Sequence, residues 1–532
     1  MSESQQQDSG NKEVNVGLLI GILVSAAFVV ILNETTLSVA LPVLMEEFNV
    51  TASVAQWLTT AFMLTMAVVI PMTGFIMQRF TLRSIYIAAL VSFLIGTAIA
   101  VVAPNFAVLL VARVVQATGT ALVMPLLMTT IMRLVPVERR GSVFGLVTVV
   151  IAAAPALGPT FSGIVLESLG WRWIFGLVIP LVLVALVVGA VQVRNFEEPT
   201  RPYLDVVSVM LSAVGFSVTL YGIAGMSELP HGVPWDRVAF MVIGLAVLFV
   251  FFRRQLVMAH NEQSTGKEPL LNLAPLSSRE YVLSMVFMLV AFSMLFGFII
   301  LMPLYAQNVL GMSQKATGLV SLPGGLIMAV MGPVVGRLYD QRGARPLIIP
   351  GAIVLFLSML GFANVSRTQS WFEGLGDKGA LVHLIILAIL LNMSVGFMLT
   401  PLMSNALAAV PDRLASHGQA ILNTFQQVAG AIGTAIFVAV MTYGSSQHAK
   451  SLGLGDVAAP SGGGHGAPAD DAGAAAGPAA EQMAKITADI VGHGIEVAFW
   501  FGSAVTLILA LAIIALKIEV PSTGNQQASA MH

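Results

Sequence analysis

Long apolar stretches, separated by short polar segments, follow one another along nearly the whole chain. A helix needs about 20 mostly apolar residues to cross a bilayer. The pattern predicts an all-α integral membrane protein, because helices satisfy their own backbone hydrogen bonds in lipid. About fourteen spans are expected, over residues 16–44, 53–78, 83–103, 106–133, 141–168, 172–193, 204–226, 237–258, 280–309, 315–338, 346–365, 380–409, 416–442 and 491–517.

The composition supports this class and excludes several others. Of the 532 residues, 57% are hydrophobic and 10% are charged, whereas a soluble domain carries about 25% charged residues. The net charge of −2 gives no indication of nucleic-acid binding. The chain has no cysteine, its histidines lack metal-ligand spacing, and no GxxxxGK[ST] sequence occurs. We therefore expect no metal, no ATP site and no organic cofactor.

The basic residues predict the orientation. Of the 25 Lys and Arg residues, 17 fall in segments on the side of the N-terminus, seven fall on the opposite side, and Arg113 falls inside a span. Cytoplasmic loops carry the excess of Lys and Arg. An even number of spans then predicts that both termini are cytoplasmic in a multi-pass protein of the cell membrane.

Two segments indicate an internal repeat. "MAVVIPMTGFIMQRFTLR" (66–83) and "MAVMGPVVGRLYDQRGAR" (328–345) align without gaps and share Pro, Gly and Arg positions, although chance identity is an alternative in so apolar a sequence. Two parallel halves with the substrate site between them are a known transporter architecture. The expected organisation is a cytoplasmic tail (1–15), a six-helix bundle (16–195), an inserted helix pair (203–258), a second six-helix bundle (278–517) with a flexible extracellular loop (443–490), and a cytoplasmic tail (518–532).

An acidic residue, Glu34, lies in the apolar run "VVILNETTLSVALP" of the first predicted helix. It is about 16 Å from the outer end of that helix at 1.5 Å per residue. A charge near the bilayer centre costs at least about 2.5 kcal/mol, and burial favours the protonated carboxyl group. Glu34 is either a proton-exchanging group or a structurally paired carboxylate. Intramembrane acids usually mark ion or substrate paths, which favours the first interpretation.

A basic residue, Arg113, lies at a similar depth in the fourth predicted helix. Arginine does not lose its proton in proteins, so Arg113 cannot carry a transported proton. It can act on Glu34 or bind backbone carbonyls in a packing role. The sequence leaves both open.

Other candidate residues each have a functional and a packing interpretation. Gly158 and Pro159 can form a hinge or seal between halves, since proline disrupts a helix and glycine permits close approach. Arg79 and Asp340 lie at turns on the N-terminal side, where they can act at a gate or, for Arg79, only set topology. For each candidate substrate contact taken singly, helix packing is the favoured interpretation. These candidates are Asn33, Trp57, Phe62, Met124, Asn392, Asn423, Gln426 and Gln427.

Several motifs together resemble the major facilitator superfamily. "GFIMQRFTLR" and "GRLYDQRGAR" resemble its GxxxDRxGRR loop, "LLVARVVQATGTAL" its fourth-helix motif, and "APALGPTFSG" the antiporter motif of its fifth helix. "LNETTLSVALP" and "GWRWIF" are similar to the fourteen-helix drug:proton antiporter branch. With "PLLMTTI" and "ILNTFQQVAGAIGTA", the chain is most similar to lincomycin-resistance-type multidrug exporters.

The resemblance implies a proton-coupled exporter of amphipathic or cationic drugs that works by alternating access as a monomer in the bilayer. It implies proton coupling by Glu34 and Arg113, a conformational role for Gly158 and Pro159, and a gate at Asp340. The sequence departs from the family at Gln78, where an aspartate is usual. Two alternatives remain: export of an endogenous lipid or metabolite, and a polytopic membrane enzyme.

Overall fold

The computed structural model of the chain describes residues 16–50, 52–55, 57–193, 195, 205–225, 234–261, 269–371, 374, 378–411, 414–453 and 478–516. Within these residues, 14 helices are long and apolar enough to cross a membrane, which confirms the predicted number and the all-α class. They are α1 (Val16–Phe48), α2 (Trp57–Arg79), α3 (Leu82–Val101), α4 (Phe106–Leu134), α5 (Val137–Leu169), α6 (Arg172–Gln192), α7 (Val206–Ala224), α8 (Trp235–His260), α9 (Arg279–Leu304), α10 (Gln314–Arg342), α11 (Arg345–Ala363), α12 (Gly379–Ala408), α13 (Ala415–Ser451) and α14 (Pro478–Ala515).

Short polar turns separate the helices. The side chain of Asn105 accepts a hydrogen bond from the backbone N–H of Val108 and caps the start of α4, and Ser313 caps α10 in the same way. Gly170 and Gly343 follow α5 and α10 with φ angles of 86° and 76°, a region that glycine adopts without steric cost. We call the face at which α1 begins the N face, and α2, α4 and α10 end there.

The predicted boundaries of the flexible loop 443–490 are wrong at both ends. Helix α13 continues to Ser451 and α14 begins at Pro478, while residues 454–477 lie outside the described part, as do the tails 1–15 and 518–532. The two helices have 37 and 38 residues, far more than the roughly 20 that cross a bilayer. Their antiparallel packing supports the extra turns, and His448 pairs there with Asp489 at 2.9 Å.

Helices α5 and α10 form the most extensive contact in the described chain and connect the first six helices with the last six. Near the N face, a Cβ added to Gly145 would lie 2.6 Å from the carbonyl oxygen of Gly332. Toward the opposite face, the hydroxyl of Thr160 donates to the carbonyl of Gly318 at 3.2 Å. Helices α2 and α4 also contact α13.

The additional pair, α7 and α8, packs beside the contact of α2 with α13. An apolar cluster of Ala67, Phe216, Leu220 and Leu248 joins α2, α7 and α8, and residues of α13 pack against it. Helix α7 therefore contacts both sets of six helices, while α8 exposes apolar side chains such as Phe249.

A segment after α8 lies at the N face with most of its apolar residues buried, and we call residues 269–278 the strap. Gln255 of α8 accepts a hydrogen bond from the backbone N–H of Leu271 at 3.1 Å, and the N–H of Asn272 donates to His417 Nδ1 of α13 at 3.4 Å. A Cβ added to Gly74 of α2 would lie 3.3 Å from the same imidazole. The strap, α2 and α13 thus meet at His417.

Candidate functional site

Arg113 is fully buried in α4, and neutral groups from three helices surround its charge. Its Nη1 donates to Gln116 Oε1 at 2.9 Å and to Asn33 Oδ1 at 3.4 Å, and its Nε donates to the carbonyl oxygen of Leu58 at 3.5 Å. The guanidinium lies 4.1 Å from the centre of the Phe62 ring, a distance at which the ring face attracts a cation. These contacts solvate the charge without a hydrogen-bonded carboxylate.

Glu34 directly follows Asn33 in α1 and is partly buried. It lies about 21 Å from the end of α1 at Phe48 and about 27 Å from its start at 1.5 Å per residue. The distance from the outer end is longer than predicted because α1 continues beyond residue 44. The charges of Glu34 and Arg113 are close enough to attract each other. The Arg113 hydrogen bonds described above nevertheless go to neutral acceptors.

Two residues of this site were missed by the sequence analysis. Gln116 lies one helical turn from Arg113, and its Nε2 donates to Thr97 Oγ1 of α3 at 2.9 Å. The i, i+3 spacing could have indicated Gln116, whereas Thr97 is brought in by the packing of α3 on α4. A Cβ added to Gly96 would lie 2.7 Å from the carbonyl oxygen of Ala112, which shows how closely the two helices approach.

Gly158 is placed against Thr35, the residue after Glu34, by the contact of α5 with α1. A Cβ added to Gly158 would collide with Thr35 Oγ1, so a larger residue can occupy this position only if Thr35 moves. Helix α5 continues through Pro159 to Leu169. The predicted hinge segment therefore lies against α1 at the residue that follows the buried acid.

The candidate polar substrate contacts lie in different places. Asn33 belongs to the Arg113 site. Asn392 donates to the carbonyl of Ala388 in its own helix at 2.9 Å. Asn423 Oδ1 accepts from Gln419 Nε2 at 2.9 Å, whereas Asn423 Nδ2 has no partner. Gln427 is half-buried one turn further along α13.

The apolar candidates for substrate contact also lie in different places. Phe62 lies under Arg113, and Met124 is half-buried against the core. Trp57 instead packs on Tyr221 of α7, with ring centroids 5.6 Å apart. The remaining polar candidate, Gln426 of α13, donates a hydrogen bond to Met288 Sδ of α9 at 3.6 Å.

The gate candidates lie at the N face. The carboxyl group of Asp340 accepts a hydrogen bond from the backbone of Ser142 in α5, a contact between the two sets of six helices. Arg79 is the exposed last residue of α2. His417, which no sequence pattern indicates, lies where the strap meets α2 and α13. No group of metal-ligating side chains occurs in the described residues.

Comparisons with known proteins identify the family. The sequence profile of the Major Facilitator Superfamily matches residues 23–434. The lincomycin resistance protein LmrB of Bacillus subtilis is 36% identical over 438 residues, which cover 82% of this chain and 87% of that protein. The MFS-type transporter YcnB of the same organism is 36% identical over 434 residues, with 81% and 87% covered.

The fold agrees with this match. The crystal structure of the human organic anion transporter MFSD10 superposes with a TM-score of 0.60 at 13% identity, covering 94% of this chain and all of that one. Profile, relatives and fold thus point to a membrane transporter and not to an enzyme. The chain belongs to the Major Facilitator Superfamily, as the motifs of its sequence predict.

Proposed function

We propose that this protein is a proton-coupled exporter of amphipathic small molecules, with Glu34 as the proton-binding group. The observation that carries the proposal is a carboxyl group in the middle of a membrane-spanning helix, beside an arginine whose hydrogen bonds go to neutral acceptors. A carboxylate bound in an ion pair would be held in its charged form. A carboxyl group without such a bond is free to gain and lose a proton.

The proposed cycle alternates access to Glu34 between the two faces. Glu34 releases its proton toward the cytoplasm while substrate enters, and a proton from outside then displaces the substrate or resets the protein. One charge that moves through 100 mV supplies about 2.3 kcal/mol, and each pH unit adds about 1.4 kcal/mol. A unit pH gradient with this potential can therefore sustain a substrate gradient of several hundred-fold.

The proposed gate on the N face consists of the contacts of the strap, α2 and α13 around His417, and of Asp340 with α5. We assign the N face to the cytoplasm on the basis of the Lys and Arg distribution. Opening toward the cytoplasm requires α2 and α13 to separate here, while the long contact of α5 with α10 holds the halves together. Gly158 and Pro159 lie at the point where this contact meets α1.

The proposed substrate contacts combine polar groups with adaptable apolar side chains. The unpaired Nδ2 of Asn423 and the half-buried Gln427 support a polar patch on α13. Met124 offers a flexible surface of the kind that binds varied ligands. The name of LmrB supports an antibiotic as one substrate. Asn33, Phe62, Trp57 and Asn392 remain candidates for which the contacts above also give a packing role.

The test is transport by purified protein in proteoliposomes with an imposed pH gradient, with ethidium and lincomycin as probes. We expect Glu34→Gln to lose gradient-driven transport, because the amide cannot exchange a proton. Glu167→Gln is the matched control, since Glu167 is an exposed acid near the end of α5. Unchanged gradient-driven transport by Glu34→Gln would contradict the assignment. Wild-type protein that moves neither probe would contradict drug export and favour an endogenous substrate.

A further inference from the structure

Four groups form a hydrogen-bonded chain from the backbone of α3 to Arg113. The hydroxyl of Thr97 donates to the carbonyl oxygen of Phe93 at 2.7 Å. Thr97 Oγ1 accepts from Gln116 Nε2 at 2.9 Å, and Gln116 Oε1 accepts from Arg113 Nη1 at 2.9 Å. Thr97, Gln116 and Arg113 are fully buried, so water does not substitute for these partners.

Each hydrogen bond in this chain fixes the direction of the next. A hydroxyl has one proton to donate. Thr97 donates it to the backbone carbonyl oxygen of Phe93, which can only accept. Toward Gln116, Thr97 can therefore only accept, and the amide must present its NH2 group to Thr97. The amide oxygen then faces Arg113, which has donors and no acceptor.

We propose that Thr97 is a positioning residue for proton coupling: through the amide of Gln116 it holds the guanidinium of Arg113 on neutral acceptors and off the carboxyl group of Glu34. This inference rests on the proposed function of Glu34. It adds a residue on α3, a helix that contributes no charged group to the site.

The consequence of losing the Thr97 hydroxyl follows from these donor and acceptor directions. Gln116 Nε2 loses its acceptor and is no longer fixed, so its oxygen no longer has to face Arg113. Arg113 Nη1 already reaches Asn33 Oδ1 at 3.4 Å, and Glu34 is the next residue of α1. A guanidinium that pairs with Glu34 favours the charged carboxylate, so the protein binds its proton only in more acidic solution.

Arg113 is the charged group that interacts electrostatically with Glu34 within the described chain. Helices α4, α5 and α6 pack against the length of α1. The other ionisable residues of these helices lie at or near helix ends: Arg133, Glu138, Arg139, Arg140, Glu167 and Arg172. Of these, Arg172 pairs with Glu47 at 3.2 Å near the far end of α1.

The test is a pH titration of reconstituted protein by infrared difference spectroscopy, which detects protonated carboxyl groups and needs no substrate. Comparison with Glu34→Gln assigns the Glu34 band. We expect Thr97→Val, which removes the hydroxyl but keeps the shape, to move the midpoint of this band toward acid by about one pH unit. Thr97→Ser keeps the hydroxyl and should restore the wild-type midpoint.

Three outcomes separate this inference from the proposed function. If Glu34→Gln removes no band that titrates, the proposed function fails. If the Glu34 band is present but keeps its midpoint in Thr97→Val, the role of Thr97 fails. Thr97→Ala provides a second variant without the hydroxyl if the valine variant does not fold.

A double-mutant cycle tests whether Thr97 acts through Gln116. Gln116→Leu removes the acceptor of Arg113 directly and should shift the midpoint as Thr97→Val does. The double variant should then show no further shift, because the two residues belong to one chain of interactions. Additive shifts would contradict the proposed route.

Discussion

At the scale of single residues, the site separates two charges that could neutralise each other. Arg113 donates hydrogen bonds to oxygen atoms of Leu58, Asn33 and Gln116, and its guanidinium lies over the ring of Phe62. Such groups lower the cost of burying a cation without supplying a negative charge. In the proposed function Glu34 therefore remains available for a proton, and we expect the geometry of these neutral groups to set how strongly Arg113 acts on it.

Gly158 offers a test of the contact between α1 and α5. Gly158→Ala places a methyl group against Thr35, and such overpacking costs about 1–3 kcal/mol. We expect a lower thermal stability and weaker gradient-driven transport. Gly163→Ala is the control, because nothing lies within 4 Å of a Cβ at that position of the same helix. Equal behaviour of the two variants would contradict the close contact.

The sequence is sufficient to find Glu34 and Arg113, because a lone charge stands out in an apolar run. It is not sufficient to find Thr97, which resembles any threonine of a membrane helix until α3 packs on α4. It also leaves the partner of Asn33 undecided between substrate and Arg113. Such assignments depend on distances between helices, which no local pattern contains.

At the scale of the helices, an ion pair fastens the additional pair α7 and α8 at the N face. Arg254 binds both carboxyl oxygens of Asp205, at 2.8 and 3.0 Å, and Ser208 donates to the same group. Burial alone would raise the pKa of Asp205, but the hydrogen bonds from Arg254 and Ser208 outweigh it and hold the pKa below its usual value. The neighbouring Gln255 then holds the strap.

We expect Asp205→Asn to destabilise the protein by about 1–3 kcal/mol at neutral pH, since it weakens hydrogen bonds to a charged group. Because the folded-state pKa is lowered, the stabilisation is complete at neutral pH and is lost as the pH falls below about 4. The melting-temperature difference from wild type should therefore shrink in acid. Asp236→Asn is the control, because Asp236 is 67% exposed in its pair with Arg237; an equal loss there would contradict a special role for Asp205.

The length of each apolar stretch predicts well that a membrane-spanning helix exists. It predicts less well where that helix begins and ends. Hydropathy places α1 to within a few residues, although the helix continues to Phe48. It fails for α13 and α14, whose outer turns are polar and are supported by contacts between the two helices. Gly444 and Gly494 lie so close there that added side chains would collide with the partner helix.

At the scale of the whole molecule, twelve of the fourteen spanning helices of the described chain form two sets of six that meet along α5 and α10. The additional pair, α7 and α8, lies beside the contact of α2 with α13. The sequence repeat predicts related second helices in the two halves, and α2 and α10 are those helices. It does not predict which helices meet across the halves. That depends on close glycine contacts such as Gly145 with Gly332, which are recognisable only after folding.

The orientation can be tested directly because the chain contains no cysteine. We expect Ser168→Cys, at the far end of α5, to react with a membrane-impermeant maleimide in intact cells. Ser277→Cys, in the strap at the N face, should react only after permeabilisation. Both serines are exposed. The reverse pattern would place the N face outside the cell, and the unmodified protein serves as the background.

The position of α7 and α8 has a consequence for how the surrounding lipid influences turnover. Helix α7 contacts both sets of six helices and α8 exposes apolar side chains beside it, so in the proposed cycle we expect α7 to shift when α2 and α13 separate. If the proposed cycle operates, bilayer thickness and lateral pressure enter its energy, and we expect transport to run at different speeds in membranes of different stiffness.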